Sequence, residues 1–320
     1  MIHLTADGGI AFVPHYRQLR SEAPTNYLLI DTSTGQESTV DFPSDYGWGG
    51  GLTTTDGVLY SSVDRSAYSA TYRICDLENS ENQRFRTHWG DANTHIEGHI
   101  ESNEIGKFLI APITPRLPDT RPKLDGFLVG EDGRLTAHKF DWFTNENYDM
   151  GYQGLVDAAT HPITGELLIS VQRAGHIVVC DPVTGERLRI IDLAGEYGNA
   201  RICFDLSNNL WTMDRDVLVC IDMHTERPRH TLQIVNDRPY VRPDPGGSAP
   251  FIAGNLFIDE PNNAVWVTRP YDGDVLAFDM TSMQEVHRIN TGGDPIDIAV
   301  AGNFIFTREW PTWELRKHAL

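Results

Sequence analysis

Short apolar runs, each closed by a tight turn, recur along the whole chain. The clearest are Ile10–Val13, Val58–Tyr60, Phe108–Ile110, Leu167–Ile169, Leu210–Trp211, Val265–Val267 and Phe304–Phe306. Amphipathic helical periodicity is nearly absent, so the pattern reads as strands throughout. The fullest unit runs from Leu155 to Leu193. An apolar strand leads to the turn His161-Pro162-Ile163-Thr164-Gly165, and then to the strand Glu166–Val171. After a short loop come the strand His176–Cys180, the turn Asp181-Pro182-Val183-Thr184-Gly185 and the strand Glu186–Ile191. Four short strands joined by tight turns make one blade of a propeller.

The third strand and its closing turn recur as Leu28–Asp31, Tyr72–Asp76, Val217–Asp222 and Val275–Asp279. Each ends on an aspartate whose carboxylate can accept from backbone N–H groups two residues on, which sets the turn. The third repeat, around Gly126–Gly130, is the weakest. Seven second strands imply an all-β, seven-bladed β-propeller spanning residues 1–320 as a single domain. Ile2–Thr5 then forms the innermost strand of blade one. Blade seven shows strands at Ile296–Val300, Phe304–Thr307 and Trp313–His318, with no fourth. Either it is three-stranded, or the N-terminal strand closes it. The proline-rich stretches 112–122 and 239–250 read as long loops between strands.

Seven arginines stand in register behind the second strands: Arg17, Arg65, Arg116, Arg173, Arg215, Arg269 and Arg308. In a closed ring they would encircle one mouth of the axis, on a chain whose formal net charge is −19. Trp48, Trp89, Tyr152, Tyr197 and Pro295 belong to the same face. Guanidinium groups suit carboxylates, phosphates and sulfates. Cations that converge without partners repel, so some of them need backbone carbonyls or acids such as Asp64, Asp214 and Glu309. The spacing fits two arrangements equally, an anion cage and a set of staples between neighbouring blades. Of the 26 basic residues, 22 are arginines, which dilutes the meaning of any one of them but not their register.

The second constellation is His95-Ile96-Glu97-Gly98-His99-Ile100-Glu101. Read as the inner strand of blade three, it alternates with period two, which sends His95, Glu97, His99 and Glu101 to the channel. Three uses are open to such a row: a water-wetted polar wall, general acid or base work by an imidazole, or a divalent metal at His95, Glu97 and His99. No cofactor is otherwise expected. His15 and His176 lie near ring arginines, whereas His161, before a proline in a turn, reads as structural. Signals for a nucleophile are poor, with no Gly-x-Ser-x-Gly elbow and no cysteine placed for activation.

Acidity on this scale argues against a nucleic-acid partner, which needs clustered Lys and Arg. No apolar run is long enough to span a bilayer, and the N-terminus lacks the pattern of a signal peptide. Cys75, Cys180 and Cys220 fall at matching positions of different repeats, too far apart to pair, and Cys203 lies in another strand. Free buried thiols suit a reducing cytoplasm.

Val265-Trp266-Val267-Thr268-Arg269 and Gly292-Gly293-Asp294-Pro295-Ile296-Asp297-Ile298-Ala299 resemble seven-bladed propellers of the Tyr-Val-Thr-Asn repeat type. In those proteins a Val-Tyr-Val-Thr-Asn strand is followed by Gly-x-x-Pro leading into the next blade. Here Arg269 and Arg308 take the Asn position. The resemblance extends to a superfamily that includes phosphogluconolactonase-like lactonases and carboxymuconate cyclases, whose sites use arginine with His or Glu on small polyanions. Phe204–Asp214 resembles the blade pattern of gluconolactonase and streptogramin-lyase propellers. No family motif matches residue by residue, so the resemblance carries no catalytic role across.

The expectation from these readings is an enzyme acting on a small carboxylated or phosphorylated molecule in the axial pocket. The seven arginines, Trp48 and Tyr152 would bind it. His95 or His99, with Glu97 beside them, would move a proton in lactone opening, lactone closure or β-elimination. The alternative is a non-catalytic propeller that scaffolds a partner protein.

Overall fold

The computed structural model describes residues 3–4, 10–14, 26–31, 36–41, 49–55, 58–65, 68–74, 83–86, 94–96, 99–103, 106–115, 123–129, 135–139, 156–171, 176–193, 202–214, 216–234, 255–310, 312 and 314–320. Side chains are described for residues 36, 159–170, 176–193, 202–213, 216–234, 255–309, 312 and 314–320.

The described strands form antiparallel sheets, each a meander in chain order. The first holds β1 (His3–Leu4), β2 (Ile10–Pro14), β3 (Asn26–Asp31) and β4 (Glu37–Asp41), and the second β5 (Gly49–Thr55), β6 (Val58–Arg65), β7 (Tyr68–Ile74) and β8 (Gln83–Arg86). In the third, β9 (Thr94–Ile96) and β10 (His99–Asn103) both pair with β11 (Gly106–Pro115), followed by β12 (Lys123–Val129) and β13 (Leu135–Lys139). The fourth comprises β14 (Val156–Thr160), β15 (Leu167–Val171), β16 (His176–Cys180) and β17 (Arg187–Asp192). The fifth comprises β18 (Ile202–Phe204), β19 (Asn209–Asp214), β20 (Val217–Asp222) and β21 (Arg227–Gln233). The sixth has β22 (Leu256–Asp259), β23 (Ala264–Arg269), β24 (Asp274–Asp279) and β25 (Glu285–Asn290), with a 3-10 turn at Glu260–Asn262. The last has β26 (Asp294–Ala301), β27 (Phe304–Trp310) and β28 (Leu315–Ala319). No helix among the described residues is long and apolar enough to cross a membrane.

First strands stand side by side: β1 by β5, β5 by β10, β10 by β14, β14 by β18, β18 by β22, β22 by β26, and β26 by β1 again. β1 pairs with β2 as the first strand of its own sheet, and the last sheet has three strands among the described residues. β1 therefore belongs to the first sheet and does not pair with β28 among the described residues.

Alternation along the strands puts core on both faces of a sheet. Leu168 and Val179 of the fourth sheet pack with Leu210 and Ile221 of the fifth. Trp211, Met213 and Cys220, on the other face of the fifth sheet, meet Val265, Val267, Leu276 and Phe278 of the sixth. Trp266, Val275 and Ala277 then meet Ile298, Val300 and Ile305 of the last. Cys180 and Cys220 are buried free thiols and Cys203 is a half-buried one. Burial pushes the Cys220 thiol up to about 12, far from a reactive thiolate. Cys75 lies outside the described residues.

The repeated turn works as its sequence implies. Asp181 Oδ1 accepts from the N–H groups of Val183 and Thr184 at 2.7 and 2.9 Å. Asp222 does the same for His224 and Thr225, and Asp279 for Thr281 and Ser282. Four residues past each aspartate the backbone is left-handed, at Gly185, Glu226 and Met283, and the strand pair carries a bulge. At the turn between the first and second strands, Asp205 accepts from the Asn209 N–H, Asn209 Nδ2 and Trp211 Nε1, each at 2.8 Å. Asp259 accepts from Trp266 Nε1 at 3.3 Å in the next sheet. His161 holds the matching place in the fourth sheet, its Nδ1 accepting from the Ile163 and Thr164 N–H groups at 3.2 Å, which is the structural part expected of it.

Polar ties cross between sheets. Arg189 binds Glu166 of its own sheet and Glu226 of the next, each at 2.6 Å. Asn255 Nδ2 donates to Asp297 Oδ1 at 2.7 Å, joining the sixth sheet to the last at their inner strands.

Asp205→Ala strands three buried donors and should cost about 3 kcal/mol of stability in urea unfolding. Asp181→Ala frees N–H groups that water can reach and should cost about 1 kcal/mol. Equal losses would show that the tryptophan tie adds nothing beyond a turn.

Candidate functional site

The arginine series marks the ends of the second strands. Arg65 closes β6, Arg269 closes β23 and Arg308 lies in β27, while Arg116 and Arg215 directly follow β11 and β19. Arg17 and Arg173 come shortly after β2 and β15. The side chains of Arg17, Arg65, Arg116, Arg173 and Arg215 lie outside the described residues, as do those of Trp48 and Tyr152.

Arg269 shows what the position can do. It is 2% exposed, and its guanidinium is shared between two carboxylates. Nε donates to Asp274 Oδ1 at 2.7 Å and Nη2 to Asp274 Oδ2 at 2.5 Å, while Nη1 lies 2.9 Å from Asp272 Oδ2. Asp274 is the cross-strand partner of Arg269, so the ion pair closes the β23–β24 hairpin. Gly273, at φ 73°, makes the turn, and a Cβ there would lie 2.9 Å from the Gly293 carbonyl oxygen. Arg269 therefore clamps its own hairpin. Between the sixth sheet and the last, Asn255 and Asp297 make a tie of the kind that stapling arginines would make.

Arg308 is half-buried, opposite Asp297 and Leu315 in the ladder. The next residue, Glu309, is 1% exposed. Thr307 Oγ1 donates to Glu309 Oε1 at 2.6 Å, Thr291 Oγ1 lies 3.5 Å from Oε2, and His318 Nε2 lies 3.0 Å from Thr307 Oγ1. A Cβ at Gly293 would sit 2.5 Å from Glu309 Oε2, so a larger residue there would push the carboxylate aside. Burial holds the Glu309 carboxyl above the ordinary glutamate range, and it outweighs the opposing pull of Thr307 and Arg316. Burial, then Arg316, holds the His318 imidazole below its ordinary value. The last sheet thus carries two protonatable groups joined through one hydroxyl, Glu309 buried and His318 half-buried.

His95 and His99 occupy β9 and β10, where His95 pairs with Thr114 and His99 with Ile110. Both pairs follow a single register along β11, so the two stretches behave as one inner strand, as the sequence implies. Their side chains lie outside the described residues and Glu97 does also, so the proton-transfer and metal readings rest on the sequence.

Sequence reasoning missed Asp272, Asp274 and the Asn255–Asp297 bond. A usable signal existed for the first two, since acids three and five residues past an arginine can fold back on it across a glycine turn.

No protein-family model and no curated protein matches this chain. Solved structures do. A chain in the crystal structure of a mitotic checkpoint complex superposes with a TM-score of 0.67 at 11% identity, over 100% of this chain and 86% of that one. The β-propeller domain of Cps50 (Swd1) from Myceliophteria thermophila gives 0.66 at 10%, over 100% and 96%. A protein from Lactobacillus plantarum gives 0.66 at 13%, over 97% and 91%. The fold is a β-propeller. Identities this low speak to architecture alone.

Arg269→Met leaves Asp272 and Asp274 buried beside a lost countercharge, and should destabilise the protein by about 3–5 kcal/mol in denaturant unfolding. Glu309→Gln tests the buried carboxyl. A raised pKa means the folded state holds its proton longer, so the stability from this group is full at low pH and falls as pH rises through and above the ordinary glutamate range. The variant should match the native chain in acid and become the more stable of the two toward neutral pH. A difference that does not vary with pH would show that Glu309 is not protonated on folding.

Proposed function

We propose that this chain is a seven-bladed propeller enzyme of the cytoplasm, with repeats of the Tyr-Val-Thr-Asn type, acting on a small carboxylated or phosphorylated substrate at its arginine-bearing mouth. One observation carries the proposal: the clamp that neutralises Arg269 is local to its hairpin. It needs aspartates at the third and fifth positions past the arginine, and no other member of the series has both. No acid occurs between Arg65 and Asp76, or between Arg173 and Asp181. Those hairpins cannot repeat the clamp, and their charges suit an anion from outside. Arg65 and Arg173 therefore lead the binding set, with Arg17, Arg116, Arg215, Arg308, Trp48 and Tyr152 around them and Arg269 as its fixed wall.

His95 and His99 supply the proton chemistry in this reading. They share one register on an inner strand that stands between β5 and β14. An imidazole there could take a proton from carbon or give one to a departing oxygen while arginines hold the developing oxyanion. Lactone opening or closure and β-elimination are the reactions this equipment serves.

A scaffold is the second reading, favoured by exposed apolar side chains on turns between first and second strands. Leu206 is 88% exposed and Ile163 is 71% exposed.

Thermal unfolding with inorganic phosphate and with citrate separates the two readings. Saturation at a hundred times Kd should add about 2.7 kcal/mol and raise the Tm by several degrees. Arg65→Ala and Arg173→Ala should abolish the shift while folding normally. If neither anion moves the Tm of the native chain, or if both variants respond as it does, the enzyme reading fails.

A further inference from the structure

We propose that Glu309 is a proton-operated latch on the arginine mouth: losing its proton draws Thr291 and Arg316 toward it and loosens the turn that carries the Arg269 clamp. Its use in regulation rests on the anion-binding reading of that mouth. The latch itself is a matter of contacts around one buried carboxyl.

Period two places Glu309 on the same side of β27 as Thr307 and Ile305, and Ile305 packs against the sixth sheet. The link between β25 and β26 meets the carboxyl there. Thr291 N–H donates to the Gly273 carbonyl at 2.9 Å, and Gly273 N–H to the Arg269 carbonyl at 3.0 Å. The link is thus bonded to the turn whose two aspartates hold Arg269. Thr291 Oγ1 has one proton and three acceptors within reach: Gly273 O at 3.2 Å, and Gly293 O and Glu309 Oε2 at 3.5 Å each. Arg316 Nη1 donates to the Thr291 carbonyl at 2.8 Å, and Nη2 to Glu314 at 3.2 Å. Gly293 lies between that guanidinium and the Glu309 carboxyl. A Cβ there would be 3.0 Å from Arg316 Nη1 and 2.5 Å from Glu309 Oε2. The missing side chain leaves the two groups face to face.

Charged groups reach Glu309 from each element around it. Burial and, more weakly, Asp294 at the start of β26 oppose its ionisation, whereas Arg316 on β28 favours it. His318, also on β28, meets it through the Thr307 hydroxyl. Asp272 and Asp274 stand in the neighbouring turn, paired with Arg269. Arg308, and Asp297 opposite it in the ladder, alternate to the other face.

On ionisation the Thr291 hydroxyl turns from Gly273 to Oε2, and Arg316 leaves the Thr291 carbonyl to pair across Gly293. The Gly273 carbonyl then keeps one of its two donors, and the Arg269 hairpin gains freedom. The protonated form holds the hairpin and adds no negative charge next to Arg308. A proton on Glu309 and an anion at the mouth therefore favour each other, each raising the affinity for the other.

The test follows the Glu309 carboxyl and the Gly273 and Gly293 amides by NMR of the full chain, from acid to mildly alkaline pH. All three should titrate with one midpoint above the ordinary glutamate range. Both amide titrations should vanish in Glu309→Gln, which mimics the protonated carboxyl. Arg316→Gln removes the charge that an ionised carboxyl draws, and should raise the shared midpoint. Calorimetry with inorganic sulfate, whose charge is constant over this range, should show affinity falling about fivefold as pH rises through the midpoint, with no such fall in Glu309→Gln. A Gly273 amide that does not follow Glu309, or that still titrates in Glu309→Gln, overturns the latch. Sulfate affinity that ignores the midpoint while the amides follow it overturns its hold on the mouth. Sulfate that binds at no pH overturns the anion reading instead, and the latch then stands or falls on the amides.

Discussion

Each described sheet of the second half of this protein is apolar on both faces, so none of them can stand without a neighbour on either side. Strand β23 is the plainest case, buried along its whole length. Val265 and Val267 face the fifth sheet, and Ala264 and Trp266 the last. A linear stack with that property would leave two apolar faces in water. A ring leaves none, and the return of β26 to β1 is that solution. Polar chemistry is therefore driven to the strand ends, where turns bring backbone groups that need partners and side chains that can reach water.

The two kinds of turn use that freedom differently. Turns between first and second strands, and between third and fourth, satisfy themselves: Asp181, Asp205, Asp222, Asp259 and Asp279 spend their oxygens on nearby N–H groups. The turn after the second strand carries a cation instead. A guanidinium inside a protein needs a countercharge, and Arg269 draws two carboxylates from its own hairpin. For Arg269, at least, the two carboxylates that hold it come from its own turn.

The same locality governs what the sequence disclosed. Strands and Asp turns were legible because period-two burial and the Asx bond act over a few residues, and Thr-Gly marked the left-handed turns at Gly165 and Gly185. Glu226 and Met283 adopt the left-handed conformation of Gly185 without being glycine, so the turn outlasts its usual marker. The ladder of β11 runs from Gly106 to Pro115, past the apolar run Phe108–Ile110 and into the proline-rich stretch 112–122 read as a loop, because backbone pairing with β9 and β12 continues through Pro112–Pro115. Asn255 and Asp297 are 42 residues apart, and only the packing of successive sheets brings one inner strand against the next. No pattern along the chain could have announced that bond.

The last sheet concentrates these constraints. Thr307 has one hydroxyl proton and two claimants, Glu309 at 2.6 Å and His318 at 3.0 Å. With Glu309 ionised, the proton goes to the carboxylate and the Thr307 oxygen must accept, so His318 donates from Nε2 and its other nitrogen is left bare. Arg316 nearby disfavours a second proton on that ring. With Glu309 protonated, the carboxyl can donate, Thr307 can pass its own proton outward, and His318 can accept at Nε2. One added proton reverses every bond between Glu309, next to Arg308 on β27, and His318, on β28. Burial of Glu309 and Thr307 is what sharpens that choice, since each must find its partner within this short row of side chains.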